Sequence, residues 1–128
     1  MKRAITSDRA PKAVGPYSQA VAFGDLLFCS GQIPLDPTSG EIVGADVAAQ
    51  TERVIENIKA VLNVNAMTLT DAIKTTVYLT TMDDFPAMNE VYARHFTEPF
   101  PSRSTVAVAG LPRGAKVEIE VTAGRSKA

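Results

Sequence analysis

The spacing of apolar positions changes period along the chain, and each change marks an element. Val47, Thr51, Val54, Ile55, Ile58, Val61 and Leu62 recur at three- and four-residue steps. That spacing predicts one buried face of a helix of roughly 17 to 20 residues. Asp46 stands where an N-cap belongs, and Gln50, Glu52, Arg53, Glu56 and Lys59 are expected on the outer face. Upstream, Tyr17 to Phe23 and Leu26 to Ile33 are β-prone runs split by Gly24-Asp25, the pattern of a tight hairpin. A shorter strand is expected around Arg3 to Thr6, with an irregular stretch between Ala10-Pro11 and Gly15-Pro16, where proline interrupts pairing. Pro34 to Gly44 is turn-rich and reads as an exposed loop.

The second half repeats the alternation of strand and helix. Ala72 to Met82 is rich in β-branched residues and reads as a strand. Asp83 or Asp84 is placed to cap a second helix, with Pro86 in its first turn and an apolar stripe of Phe85, Met88, Tyr92 and Phe96. Glu98-Pro99-Phe100-Pro101 ends it. Arg103 to Ala109 and Lys116 to Ala123 are expected to form a second hairpin around Leu111-Pro112-Arg113-Gly114. In the last strand Val117, Ile119 and Val121 share one face, and Glu118, Glu120 and Thr122 the other. The order strands, helix, strand, helix, strands implies an α+β domain with two helices on one sheet face.

Composition narrows the class. The chain has 128 residues, 45% apolar and 21% charged, with no repeat or linker, so residues 1–128 are expected to form one domain. Thirteen basic and 14 acidic side chains leave a net charge of −1, and no block of like charge stands out. No nucleic-acid or membrane partner is therefore expected. Cys29 is the one cysteine, so no internal disulfide can form. Met1 to Ala10 lacks the apolar core of a secretory signal, and no run approaches the roughly 20 apolar residues that span a bilayer. The cytoplasm is the expected compartment.

The candidate chemistry is sparse. His95, the one histidine, has no partner at metal-ligand spacing, and neither a phosphate-binding glycine loop nor a Gly-x-Ser-x-Gly elbow occurs. A metalloenzyme, a phosphate-loop enzyme and a serine hydrolase are therefore poorly supported, and no metal is expected. Glu118 and Glu120, two apart on a strand, place two carboxylates on one face, where shelter and like charge raise a pKa and fit a group for proton transfer. Spacing alone favours the plainer reading, a solvated strand face. Arg103, just after Phe100-Pro101-Ser102, is expected in the neighbouring arm of the same hairpin, where it could hold a carboxylate or pair with a glutamate. Gly15-Pro16-Tyr17 and Ser30-Gly31-Gln32 put glycines and hydroxyls at strand edges. His95 and Cys29 read as structural.

These segments, taken together, resemble one family. AVGPYSQAV, LLFCSGQIPLDPTSGEIVG, DVAAQTERVIENIKAVL, IKTTVYLTTMDDFPAMNEVYARHF and PFPSRSTVAVAGLPRGAKVEIEV are similar to the Rid (YjgF) proteins, nearest the RidA branch, over Ile5 to Arg125. The resemblance implies a chorismate-mutase-like fold with a mixed six-stranded sheet, and a homotrimer with a central barrel and inter-subunit sites. It implies a cofactor-independent 2-iminobutanoate/2-iminopropanoate deaminase, hydrolysing 2-aminoacrylate and related 2-imino acids to 2-keto acids and ammonia. It assigns the carboxylate-binding role to Arg103, water handling to Glu118, and pocket positions to Tyr17, Ser30, Gly31 and Asn89. Many members carry a cysteine where this chain has Thr105; the backbone N–H there can still serve an oxyanion, but a thiol role is lost. The competing readings are a ligand-binding or chaperone-like module on the same fold, and an endoribonuclease or translation inhibitor.

Overall fold

The computed structural model describes residues 1–125. Its elements are β1 (Arg3–Ile5), β2 (Ala20–Phe23), β3 (Leu26–Gln32), α1 (Val47–Val64), β4 (Ala72–Leu79), α2 (Phe85–His95), β5 (Ser102–Ala107) and β6 (Val117–Gly124). The strands form one mixed six-stranded sheet in the order β1-β2-β3-β6-β4-β5. Both helices pack on one face of it.

Helix α1 forms as its periodicity predicts. The Asp46 carboxylate accepts from Ala49 N–H at 2.8 Å and caps it, and Val54, Ile55, Ile58, Val61 and Leu62 are completely buried against the sheet. Burial of side chains of this size contributes about 1.5–3 kcal/mol each, far more than helix propensity. Gln50 departs from its expected place on the outer face: it is buried. Its amide donates to Gly44 O at 3.1 Å and accepts from Lys116 N–H at 2.8 Å. Asn57, also buried, donates to the carbonyls of Ile33 and Leu35. Each amide satisfies loop backbone groups that no ladder reaches, which is why a polar residue stays inside.

Two local expectations shift. Strand β2 starts at Ala20 rather than Tyr17. Just ahead of it Gln19 O still accepts from Ser30 N–H, while the buried Gln19 side-chain amide accepts from Ser7 N–H and donates to the carbonyls of Ser7, Ala10 and Pro11, fastening the irregular segment to the strand. The turn before α2 is capped by Thr81, whose hydroxyl accepts from Asp83 N–H, and Asp84 makes no side-chain cap.

The expected hairpin of the last two strands does not form. Strand β5 runs parallel to β4, with Thr75 beside Arg103, and is an edge strand. Strand β6 lies between β3 and β4, antiparallel to both, with Tyr78 beside Glu118. The cause is the crossover: strand, helix α2, strand returns the chain parallel to its start. The Val117, Ile119 and Val121 face of β6 is buried and claims the centre, whereas β5 is largely exposed and suits an edge. Strand β4 therefore separates Arg103 from Glu118.

Candidate functional site

Arg103 faces the helical side of the sheet, over α2. Its Nη1 donates to Asn89 Oδ1 at 2.7 Å. The guanidinium carbon lies 4.7 Å from the Tyr92 ring centroid and 5.5 Å from that of Phe85. Phe85, Asn89 and Tyr92 follow one another at four and three residues, so α2 presents them on one face. No carboxylate pairs with Arg103 among the described residues. An amide oxygen and two ring faces hold the cation in place while its charge stays uncancelled. It opens on a cleft of about 410 Å³, walled by Tyr92, Ala93, Phe100 and Pro101. A half-buried, un-neutralised guanidinium at the floor of such a cleft is suited to a small carboxylate.

Glu118 lies on the other face, which no helix covers. Burial, and then the neighbouring Glu120, push its carboxyl above the ordinary range. Glu120 is the more exposed of the two and accepts from Tyr78 Oη at 3.1 Å. Gly31 packs directly against the Glu118 carboxylate: a Cβ there would stand 2.8 Å from Cδ. Beside it opens a second cleft of about 280 Å³, lined by Lys12, Val14, Tyr17, Gly31, Ile33 and Arg113.

The expected site residues thus fall into two groups. Asn89 joins Arg103, and Gly31 and Tyr17 line the cleft beside Glu118. Ser30 donates its hydroxyl to Ser18 O at 2.7 Å, which leaves it able only to accept. Arg103 and Glu118 do not meet within one chain. Their register partners on β4, Thr75 and Tyr78, are three apart and so point to opposite faces. They are also offset by roughly 10 Å along the strands and two strand spacings across. The aromatic platform of Phe85 and Tyr92 is absent from the residues expected at the site. Its three- and four-residue spacing with Asn89 was the available signal, but those rings also read as a core stripe.

Residues 7–124 match the family model described as Endoribonuclease L-PSP. The chain belongs to this family, the Rid/YjgF proteins. Protein DfrA of Myxococcus xanthus is 53% identical over 124 residues, covering 95% of each chain. The 2-iminobutanoate/2-iminopropanoate deaminase of Escherichia coli K12 is 44% identical over 98% of this chain and 99% of its own. The crystal structure of E. coli TdcF with bound serine superposes with a TM-score of 0.91 at 46% identity, covering 97% of this chain and 99% of that one.

Within this Rid-type fold, Thr105 sits on β5 two residues from Arg103, with its Oγ1 buried and without a hydrogen-bond partner among the described residues. Val108 N–H donates to Leu79 O. The alternation of the parallel ladder then turns the N–H groups of Arg103, Thr105 and Ala107 to the free sheet edge. His95 Nε2 lies 2.9 Å from Glu52 Oε2, and Arg94 holds the other oxygen, so this histidine ties α2 to α1. Cys29 is buried, and burial pushes its thiol up to about 12. Among the described residues no group of His, Cys, Asp and Glu could hold a metal, and no helix is long and apolar enough to cross a membrane.

Proposed function

We propose that this Rid-family protein is an imine deaminase that hydrolyses 2-iminobutanoate, 2-iminopropanoate and its enamine tautomer 2-aminoacrylate, without a cofactor. The observation that carries the reading is the guanidinium of Arg103, held by neutral partners only and open to a cleft. Arg103 binds the substrate carboxylate in two parallel hydrogen bonds, and the edge N–H of Thr105 adds a donor for developing negative charge. An imine carbon is already electrophilic, so the reaction needs an oriented water more than a strong nucleophile. Glu118 takes a proton from that water as oxygen adds to the carbon of the protonated imine, giving a neutral carbinolamine. It then returns that proton to nitrogen as the C–N bond breaks, while the hydroxyl proton passes to solvent as the carbonyl forms, releasing ammonia and the 2-keto acid. A raised pKa suits a group that must do both. Tyr17 borders the cleft beside Glu118 and Gly31 and can hold the departing nitrogen.

Arg103 and Glu118 lie on opposite faces, so the reading requires two copies of the chain, Arg103 from one and Glu118 from the next. A homotrimer with inter-subunit sites meets that need. The face without helices supports it, because Phe23, Leu26, Phe28 and Val106 stand exposed there and assembly would cover them.

The test couples an amino-acid oxidase to the protein and follows imine loss and ammonia release. Arg103→Ala and Glu118→Gln should each lower kcat/KM by about 100-fold or more. Wild-type clearance by either variant would overturn the assignment. An Arg103-dependent cleavage of RNA in place of imine hydrolysis would favour the activity in the family's description.

A further inference from the structure

We infer that Tyr92, backed by Thr75, is a positioning residue that sets the plane of the Arg103 guanidinium. The inference rests on reading Arg103 as the carboxylate anchor. Thr75 and Arg103 are register partners on β4 and β5. Thr75 is completely buried, and its hydroxyl lies 2.8 Å from the Tyr92 hydroxyl. The Tyr92 ring in turn carries the guanidinium, 4.7 Å from its centroid. The three residues close a loop: the strand neighbour of the arginine fixes the ring on which the arginine rests. Phe96 stacks on the same ring at 4.1 Å and 20°, so it takes one face and leaves the other to the cation.

Packing alone does not call for this arrangement. Phe96, one turn on, is buried without any polar atom. A buried phenol and a buried threonine hydroxyl add two polar groups that must find each other or lose free energy. Their pairing holds the ring at its far end as well as at its face, which restricts tilt. Burial also pushes the Tyr92 phenol upward, against the Thr75 hydrogen bond and the Arg103 charge that pull it down, so the phenol stays protonated. The partner is an aromatic face rather than a carboxylate, so the arginine is oriented without being neutralised. An ion pair at this position would compete with the substrate's own carboxylate.

The test uses the full chain with Tyr92→Leu, Tyr92→Phe and Thr75→Val, and Tyr92→Leu again in an Arg103→Lys background. The readouts are KM and kcat for the imine, the Kd of 2-oxobutanoate by calorimetry, and the melting temperature. Tyr92→Leu should raise KM and Kd about tenfold, the scale of a desolvated cation–π contact, with kcat changed far less. Tyr92→Phe and Thr75→Val should raise both constants by about two- to threefold, the size of a lost neutral hydrogen bond. In the Arg103→Lys background, where no planar cation stacks, Tyr92→Leu should add less than about twofold. Unchanged KM and Kd in Tyr92→Leu overturn the inference, and so does an equal penalty in both backgrounds, which marks general damage. Should Tyr92→Leu fail to fold, unchanged constants in both Tyr92→Phe and Thr75→Val overturn it. Wild-type 2-oxobutanoate binding by Arg103→Ala would remove the anchor reading and this inference together. Binding lost in Arg103→Ala but indifferent to Tyr92 would remove this inference alone.

Discussion

A side chain at position 31 would collide with Glu118, since a Cβ would sit 2.8 Å from the carboxyl carbon, yet the backbone there lies outside the left-handed region that favours glycine. Gly31→Ala is therefore conformationally mild and acts by displacing the carboxylate. We expect kcat/KM to fall by about 10- to 100-fold while the melting temperature changes little, as steady-state kinetics and a thermal scan would show. Charge at the neighbouring position tests the same carboxylate from another side. Burial and Glu120 both raise Glu118, so activity that needs ionised Glu118 falls as pH drops through a pKa above the ordinary carboxylate range. Glu120→Gln removes one of the two causes, and the acid limb of the kcat/KM profile should move to lower pH. An unmoved limb would separate that limb from Glu118. The linkage has a definite sign for stability as well. A folded-state pKa above the unfolded value gives stability that is present below the unfolded pKa and is lost as pH rises through the folded one. Ionised Glu118 is thus a liability at neutral pH. Glu118→Gln should raise the melting temperature there, and the gain should shrink on acidification, as paired thermal scans across pH would reveal.

Among the elements, α1 was the most legible and also the most instructive. Its apolar stripe follows from side-chain period alone, because burial of one face is a local consequence of 3.6 residues per turn. Gln50 and Asn57 were not legible, since their partners are backbone groups of loops brought near only by the finished fold. Gln50→Ala leaves Gly44 O and Lys116 N–H without a partner. It should cost about 2–4 kcal/mol, measurable by urea denaturation. It should also loosen the start of β6, two residues before Glu118. The misplaced β5 has a related cause: strand propensity identifies a strand but not its neighbour. Two strand-like runs with a turn between them read as a hairpin whether or not a third strand enters. The turn residues at Leu111 to Gly114 are real, yet the path from β5 passes β4 before β6 begins. The resemblance singled out Arg103 and Glu118 as candidates; their opposite facing was not legible, because it depends on the register of a strand between them.

That opposite facing decides how the whole molecule can work. A chain with the Arg103 guanidinium on one sheet face and the Glu118 carboxylate on the other cannot bring both to one small substrate, because β4 lies between them. If the site is shared between copies, the two groups complement in trans. Arg103→Ala and Glu118→Gln chains, each inactive alone, should then regain activity when co-expressed with different tags and purified as mixed assemblies. In a cyclic trimer each site takes Arg103 from one subunit and Glu118 from the next, so random mixing restores about a quarter of the sites. A chain carrying both substitutions, co-expressed with wild type, also leaves about a quarter of the sites intact, and it provides the reference. Equal recovery in the two mixtures is the signature of a shared site. A site confined to one chain gives a different pair of results: no recovery from the two single variants, and about half from the double variant mixed with wild type. The ratio of the two mixtures therefore separates an inter-subunit site from an intra-chain one even when the absolute activity of either is low.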